Sequence, residues 1–139
     1  MNAKELMIGD LVYGLYPNGE RYATPCCISA VDTYPTNRSP RIVTAGGYGF
    51  QSEHLEPIPI TEKILEKNFG EKIDGEYFYA DEYYEIYIKE ISDSIWKIDY
   101  ECVEMNGIPR QSNNVCFVHE LQHALRLFGL FEMADCFSV

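Results

Sequence analysis

Two histidines near the C-terminal end have the spacing of a zinc-protease motif, His-Glu-x-x-His. The string reads His119-Glu120-Leu121-Gln122-His123. On a helix, side chains four residues apart lie on the same face, so both imidazoles could hold one zinc ion. Glu120 could then take a proton from the zinc-bound water. One hypothesis is therefore a zinc-dependent hydrolase with His119 and His123 as metal ligands and Glu120 as catalytic base.

The rest of the motif is incomplete. A catalytic zinc needs a third protein ligand. The metzincin extension would place a glycine at 126 and a histidine at 129, where this chain has Arg126 and Gly129. The other candidate ligands would need an unusual arrangement; they are Glu132, Asp135, Cys136 and His54. We therefore predict no catalytic residue, no bound metal and no cofactor, and keep the hydrolase as an alternative hypothesis.

The five cysteines permit two further hypotheses. Cys116 could join His119 and His123 in a structural zinc site, together with Cys102 or Cys136. Cys116 could also act as a nucleophile beside a histidine, although no neighbour in sequence would activate its thiol. Five is an odd number, and the chain contains no Cys-x-x-Cys string. The pattern favours reduced, buried thiols in a cytoplasmic protein.

The motif lies on a predicted helix over 118–128, which ends at Gly129. Steps of 100° place two sets of side chains on opposite sides. The apolar set is Val118, Leu121, Ala124, Leu125 and Phe128, and the polar set is His119, Gln122, His123 and Arg126. We expect the apolar set to pack on a sheet and the histidine side to face water.

A central stretch of the chain is acidic and rich in tyrosine. The formal net charge is −11, and residues 71–104 hold eleven acidic and three basic side chains and six of the eleven tyrosines. A tyrosine ring combines an apolar face with a polar tip, which suits contact with another protein. The simpler interpretation is that these are half-buried strand residues. The predicted binding surface consists of Tyr77, Tyr83, Tyr84 and Tyr87.

Composition also argues against several classes of function. An anionic surface repels phosphate backbones, which argues against a nucleic-acid ligand. It could instead attract a basic protein, or imitate DNA as a decoy for a DNA-binding protein. No apolar run is long enough to span a membrane, and the first residues lack an apolar signal core. The predicted partner is another protein, and we predict binding neither to a membrane nor to nucleic acid. The sequence does not indicate the oligomeric state.

The N-terminal part has the pattern of a small curled antiparallel sheet. Strands are predicted at 11–16, 21–23, 26–31, 41–44 and 50–51, separated by turns rich in glycine, proline and asparagine. The Gly9-Asp10-Leu11-Val12 opening resembles that of SH3-like barrels. Gly46-Gly47-Tyr48-Gly49 lacks the Gly-Lys-Ser/Thr ending of a phosphate loop, so a hairpin turn is predicted there.

The C-terminal part is predicted to be a meander between two helices. Thr61 can cap a short helix that ends at Gly70. Alternating apolar and polar residues predict strands at 76–80, 83–91 and 95–103. Asn106-Gly107 predicts a hairpin and a further short strand before the polar run 111–114. The final helix would pack on this sheet through Leu121, Leu125 and Phe128.

Three segments resemble a family of short proteins of gut bacteria and their phages. Leu55-Glu56-Pro57-Ile58-Pro59-Ile60-Thr61 is similar to its Leu-Glu-Pro-Ile-Pro-Leu-Thr-Glu linker, and residues 1–10 are similar to its start. Val118-His119-Glu120-Leu121-Gln122-His123 is similar to its Val-His-Gln-Leu-Gln-Asn segment. The family has Gln and Asn at the positions of Glu120 and His123, which makes the zinc motif a coincidence of this chain. The resemblance implies a phage or mobile-element link and no particular activity.

Together these patterns predict an α+β protein. Residues 1–57 would form a small curled sheet or SH3-like barrel, and residues 58–139 a bridging helix, a second antiparallel sheet and a C-terminal helix, as one compact unit. The predicted function is a non-enzymatic cytoplasmic binding module. The alternatives are the zinc hydrolase and the acidic decoy.

Overall fold

The computed structural model describes residues 2–32, 41–102 and 111–139. These ranges contain nine strands, three α-helices and single 3-10 turns at Ala3–Glu5 and Ser52–His54. The strands are β1 Leu11–Gly14, β2 Cys26–Asp32, β3 Arg41–Thr44, β4 Gly49–Gln51, β5 Leu55–Pro57, β6 Tyr77–Ala80, β7 Tyr84–Ser92, β8 Ile95–Cys102 and β9 Gln111–Val115. The helices are α1 Glu62–Phe69, α2 Val118–Leu127 and α3 Phe131–Asp135.

The chain divides into two compact units, Met1–Ile58 (unit 1) and Pro59–Val139 (unit 2). Each unit contains one antiparallel sheet, of five strands in unit 1 and four in unit 2. The predicted α+β class is therefore confirmed. In the described ranges, no helix combines the length and the apolar character needed to cross a membrane.

The sheet of unit 1 is open rather than closed into a barrel. Its strand order is β4-β3-β2-β1-β5, so β4 and β5 form two separate edges. Strand β2 pairs with β1 through Cys26 and Cys27 and with β3 from Ile28 onward, and its register shifts between Ile28 and Ala30. Such a bulge bends a strand. The curled-sheet alternative is thus correct, and a closed SH3-like barrel is wrong.

Apolar side chains form the core of unit 1, and tight turns connect its strands. The core consists of Leu6, Val12, Ile28, Ile42, Phe50 and Leu55, with Tyr22 and Val31 packed against it. In the 17–20 turn, the backbone N–H of Gly19 donates to Tyr16 O at 2.8 Å. The glycine-rich segment 46–49 connects β3 to β4, as predicted for a hairpin, and the N–H of Gly47 donates to Thr44 O at 2.8 Å.

Alternation along the strands of unit 2 separates a core face from an outer face. Ile86 and Ile88 of β7 and Trp96 and Ile98 of β8 are buried, as the period of two predicts. The strand order is β6-β7-β8-β9. Asp99 differs from the expectation that the outer face of β8 is exposed to water. It is buried, accepts a hydrogen bond from the Ser112 hydroxyl and lies 3.1 Å from Lys97 Nζ.

Helix α1 begins and ends at the residues predicted from its caps. Thr61 Oγ1 accepts a hydrogen bond from the N–H of Ile64 at 3.3 Å, and Gly70 follows the last helical turn. The buried Leu65 packs in the core of unit 2. The side-chain amide of Asn68 holds the C-terminal residues by donating to Ser138 O at 2.7 Å and accepting from its N–H at 2.9 Å.

The C-terminal third differs from the prediction in two elements. The polar run 111–114, predicted to follow a strand, is itself most of β9, because an edge strand can leave its polar side chains exposed while its backbone pairs with β8. Helix α3 is an element that the sequence patterns do not predict. The predicted turn at Asn106-Gly107 lies outside the described residues.

Candidate functional site

Helix α2 carries the zinc-protease string, but its Glu120 is engaged in capping the helix. Glu120 Oε2 accepts hydrogen bonds from the backbone N–H of Cys116 at 2.7 Å and from that of Phe117 at 3.2 Å. A carboxylate at this position satisfies N–H groups that precede the first helical turn and interacts favourably with the helix dipole. Glu120 thus has a structural role that explains its place in the string.

The two histidines are neighbours, with His119 buried and His123 partly buried. The His119 side chain is only 4 % exposed, its ring stacks on that of Phe117, and its centroid lies 5.8 Å from that of His123. Within the described parts of the chain, no group of three His, Cys, Asp or Glu side chains is placed to hold a metal ion. Among the residues that the structure describes, the ligand set that a catalytic zinc requires is therefore not assembled.

The expectation that the histidine side of α2 faces water is wrong. Gln122 is fully buried, and its side-chain amide donates to Ala134 O of α3 at 2.8 Å. Arg126 lies 3.1 Å from Asp135 of the same short helix. Helix α3 thus covers the side of α2 that was predicted to be wet. On α2 itself, only Leu127 is exposed.

Replacing Glu120 by alanine is expected to lower the free energy of unfolding by about 1 kcal/mol, because α2 loses a capping carboxylate. Urea unfolding followed by the fluorescence of Trp96, the single tryptophan, measures this change. Glu66→Ala on the exposed side of α1 is a matched control and should change stability by less than about 0.5 kcal/mol. Equal effects of the two substitutions would contradict the capping role.

The four tyrosines of the predicted binding surface do not share one face. Tyr77 is buried at 1 % exposure, and its hydroxyl donates to Glu62 O of α1 at 3.3 Å. Tyr83 is 49 % exposed in the turn between β6 and β7. Tyr84 lies on the core face of β7, and Tyr87 lies on the outer face with its hydroxyl donating to Glu85. Tyr77 therefore cannot belong to a surface shared with the other three.

Tyr84 instead lines a concave groove together with the segment around α3. The groove has a volume of ≈ 690 Å³. We call it the tyrosine groove, and its lining residues are Tyr79, Tyr84, Gly129, Leu130, Phe131, Glu132, Met133 and Cys136. It belongs entirely to unit 2. Its two sides are the ends of β6 and β7 and the exposed side of α3.

Aromatic rings form one wall of the tyrosine groove. The rings of Tyr79 and Tyr84 are nearly parallel, with their centroids 6.4 Å apart. Behind them, the rings of Tyr84 and Tyr100 lie 5.9 Å apart, and Tyr100 stacks on Phe128 at 4.6 Å. Ring contacts of this kind stabilise aromatic clusters and restrict their motion. The wall is therefore held by a continuous row of rings that reaches the end of α2.

The opposite wall depends on a sharp reversal after α2. Gly129 has a φ of 83°, a conformation that side chains other than glycine rarely adopt. Its N–H donates to Arg126 O at 3.0 Å, and the N–H of Leu130 donates to Leu125 O at 2.9 Å. This reversal lets the chain turn back as α3 and places Phe131, which is 59 % exposed, at the groove.

The groove carries a negative charge at Glu132. Glu132 is exposed, and its carboxylate forms no ion pair or hydrogen bond within the described ranges. None of the eight lining residues is basic. The carboxylate of Asp81, beside Tyr84, accepts N–H donors from Tyr83 at 2.7 Å and Tyr84 at 3.0 Å. Against the effect of burial, these bonds hold the pKa of Asp81 below its ordinary value.

Burial, together with the nearby Asp81 carboxylate, raises the pKa of Tyr84 to about 12. A tyrosine in the unfolded chain ionises near pH 10. The unfolded state therefore loses this proton first, and the contribution of Tyr84 to stability is lost as the pH rises from about 10 to about 12. In tyrosinate absorbance titrations, wild type should show one late-ionising phenol that Tyr84→Phe lacks. A difference centred near pH 10 would contradict this environment for Tyr84.

A second concavity lies on the outer face of the β6–β7 hairpin. It has a volume of ≈ 270 Å³ and is lined by Ile73, Asp74, Glu76, Phe78 and Tyr87. Glu76 at its edge is already paired with Lys89, whose Nζ lies 3.0 Å from Glu76 Oε1. This smaller hollow holds Tyr87, so the four tyrosines predicted as one surface are divided among two concavities, the core and, for Tyr83, an exposed turn.

The predicted binding surface contained one residue of the tyrosine groove, Tyr84, and missed the α3 side, where Glu132 and Cys136 were predicted only as candidate zinc ligands. Tyr79 belongs to the same tyrosine-rich stretch and could have been included from it. Phe131 and Glu132 follow Gly129, where the last predicted element ends; a Phe-Glu-Met-Ala-Asp run after such a glycine was the available signal. Comparison of the chain with protein-family models, with curated proteins and with solved structures finds no match.

Proposed function

We propose that this protein is a non-enzymatic binding module that takes a basic segment of a partner protein into the tyrosine groove. The observation that carries the proposal is the groove itself: ≈ 690 Å³ of concave space, walled by two tyrosines and by Phe131, with the Glu132 carboxylate, which has no side-chain partner among the described residues. Exposed aromatic residues beside a hollow are common features of protein-binding surfaces.

The negative charge of the protein favours a positively charged partner. The net charge of −11 and the exposed Glu132 carboxylate favour a segment that carries Lys or Arg. The groove is too small for a folded domain to enter, but a few side chains of an extended segment would fill it. Phe131 is exposed and offers apolar contact area to such a segment.

We also propose a cellular compartment and a source of the partner for this module. All five cysteines are free thiols. Reduced thiols suit a cytoplasmic protein. The resemblance to short proteins of gut bacteria and their phages supports a partner encoded by a phage, a mobile element or its host. The capping role of Glu120, and the lack of a three-ligand group among the described residues, favour the binding module over the zinc-hydrolase alternative.

Selection from a random library of short peptides tests the proposal without requiring that the partner be identified first. Full-length protein is the bait, and selected peptides are measured by fluorescence anisotropy against wild type, Phe131→Ser and Glu132→Lys. We expect basic peptides whose affinity falls by about tenfold or more in both variants, which corresponds to at least about 1.4 kcal/mol. Binding should also weaken as salt is raised, because Glu132 is exposed.

Ile73→Ser is the matched control for Phe131→Ser. Ile73 is exposed to a similar extent, at 62 %, and lines the other concavity of unit 2. Its replacement should leave the selected peptides bound with unchanged affinity. The proposal fails if no basic peptide is selected, or if Ile73→Ser abolishes binding while Phe131→Ser leaves it intact.

A further inference from the structure

We infer that the tyrosine groove recognises an arginine side chain, with the guanidinium against the tyrosine wall and paired with Glu132. This inference rests on the proposed function and names the chemical group of the partner that the groove binds. The two walls supply the two partners that a guanidinium uses, an aromatic face and a carboxylate. Both line the same hollow in unit 2.

Unit 1 already contains an arrangement of this kind. The guanidinium carbon of Arg21 lies 4.7 Å from the ring centroid of Tyr13, and its Nε lies 2.9 Å from Glu56 Oε2. Both charged side chains are about half exposed, so the arrangement forms at a solvated surface. The tyrosine groove presents the aromatic and acidic parts of the same arrangement, without a basic residue among the lining residues described.

Arginine fits these walls better than lysine for two physical reasons. A guanidinium is planar and weakly hydrated, so it can lie flat on a tyrosine ring and still donate to a carboxylate from its edge. An ammonium group is compact and strongly hydrated, so it loses more solvation in reaching the same place. Glu132 is the one acidic side chain among the lining residues described, so it supplies the carboxylate for the guanidinium.

Three small probes separate charge from shape: N-acetyl-arginine N-methylamide, the corresponding lysine compound, and the citrulline compound, which has nearly the shape of arginine without its charge. Each is titrated into full-length protein labelled with nitrogen-15, and amide shifts are followed by NMR. We expect the arginine probe to shift the amides of Gly129, Leu130 and Cys136, with a dissociation constant at least about fivefold lower than those of the other two.

Two variants of α3 provide matched charge controls. Glu132→Gln removes the carboxylate that lines the groove and should weaken binding of the arginine probe several-fold. Asp135→Asn removes the same charge from the same helix, at a residue paired with Arg126 and not lining the groove, and should leave binding unchanged. Equal binding of arginine and citrulline, or equal loss in both variants, overturns the inference.

The peptide selection distinguishes failure of this inference from failure of the proposed function. Selected peptides that bind at Phe131 but contain no arginine would overturn arginine recognition and leave the binding module intact. Selected peptides that share an arginine, and that lose affinity when it becomes lysine, support both. Absence of any selected peptide together with unshifted groove amides overturns both.

Discussion

Replacing Leu121 by alanine is expected to lower the free energy of unfolding by about 2–5 kcal/mol. Leu121 is fully buried on α2, in the interior of unit 2. Truncation removes apolar contacts and leaves a cavity that the surrounding side chains fill only in part. The cost should be at the upper end of this range if neighbours such as Leu125 and Val118, which are also fully buried, hold their positions.

Leu127→Ala on the same helix is the matched control. Leu127 is 76 % exposed, so the same substitution should change stability by less than about 0.5 kcal/mol. Urea unfolding followed by Trp96 fluorescence reports on unit 2, because Trp96 lies in its core. A small effect at Leu121, or equal effects at both leucines, would mean that α2 packs through a different side.

Replacing Gly14 by alanine is expected to destabilise unit 1 by about 1–3 kcal/mol. A Cβ atom at Gly14 would lie 2.7 Å from Cδ2 of Tyr22 and 2.8 Å from Cζ of Phe50. Both distances are shorter than real Cβ contacts, so the two rings would have to move. Phe50 belongs to the core of unit 1, and the Tyr22 ring packs against it with centroids 5.5 Å apart.

Hydrogen exchange of amides in β1 and β2 measures this loss within unit 1. Gly46→Ala is the control, because a Cβ there would meet only the Tyr48 ring, at 3.2 Å. Tyr48 is exposed and can turn away, so the effect should stay below about 0.5 kcal/mol. If Gly14→Ala exchanges as slowly as wild type, the close packing of Tyr22 and Phe50 on β1 is wrong.

Local sequence patterns were sufficient to predict elements whose ends or faces are determined by neighbouring residues. Thr61 and Gly70 mark the two ends of α1 because a hydroxyl cap and a C-terminal glycine act within one helical turn. The alternation of Tyr84, Ile86 and Ile88 identified the core face of β7, since successive strand residues point to opposite sides.

The histidine side of α2 could not be predicted from the helix alone. A period of 3.6 separates two sides of a helix, but it does not say what packs on each. Here His119 and Gln122 are both buried, and Gln122 donates to Ala134 of a five-residue helix that follows Gly129. A helix this short has too few residues for a periodic pattern to reveal it.

The same short helix explains why only part of the candidate site was predicted. Tyr84 was predicted from the tyrosine-rich stretch 71–104, whereas Phe131 and Glu132, nearly fifty positions further along the chain, line the same hollow only in the folded structure. The predicted surface also grouped Tyr77 and Tyr87 with Tyr84, although the strand period places Tyr87 on the other face. Composition thus identified the tyrosine-rich region, but which of its residues line the groove depends on the tertiary structure.

Site-specific photo-cross-linking tests the central claim, that a basic segment of a partner occupies the tyrosine groove, most directly. A photoreactive phenylalanine analogue replaces Phe131 in one sample and Ile73 in another, and each is irradiated with the tightest-binding selected peptide. These positions have similar exposure, 59 % and 62 %, and line the two different concavities. We expect a covalent adduct at position 131 and none at position 73. An adduct at position 73 alone, or at neither position while the peptide is bound, would contradict the claim.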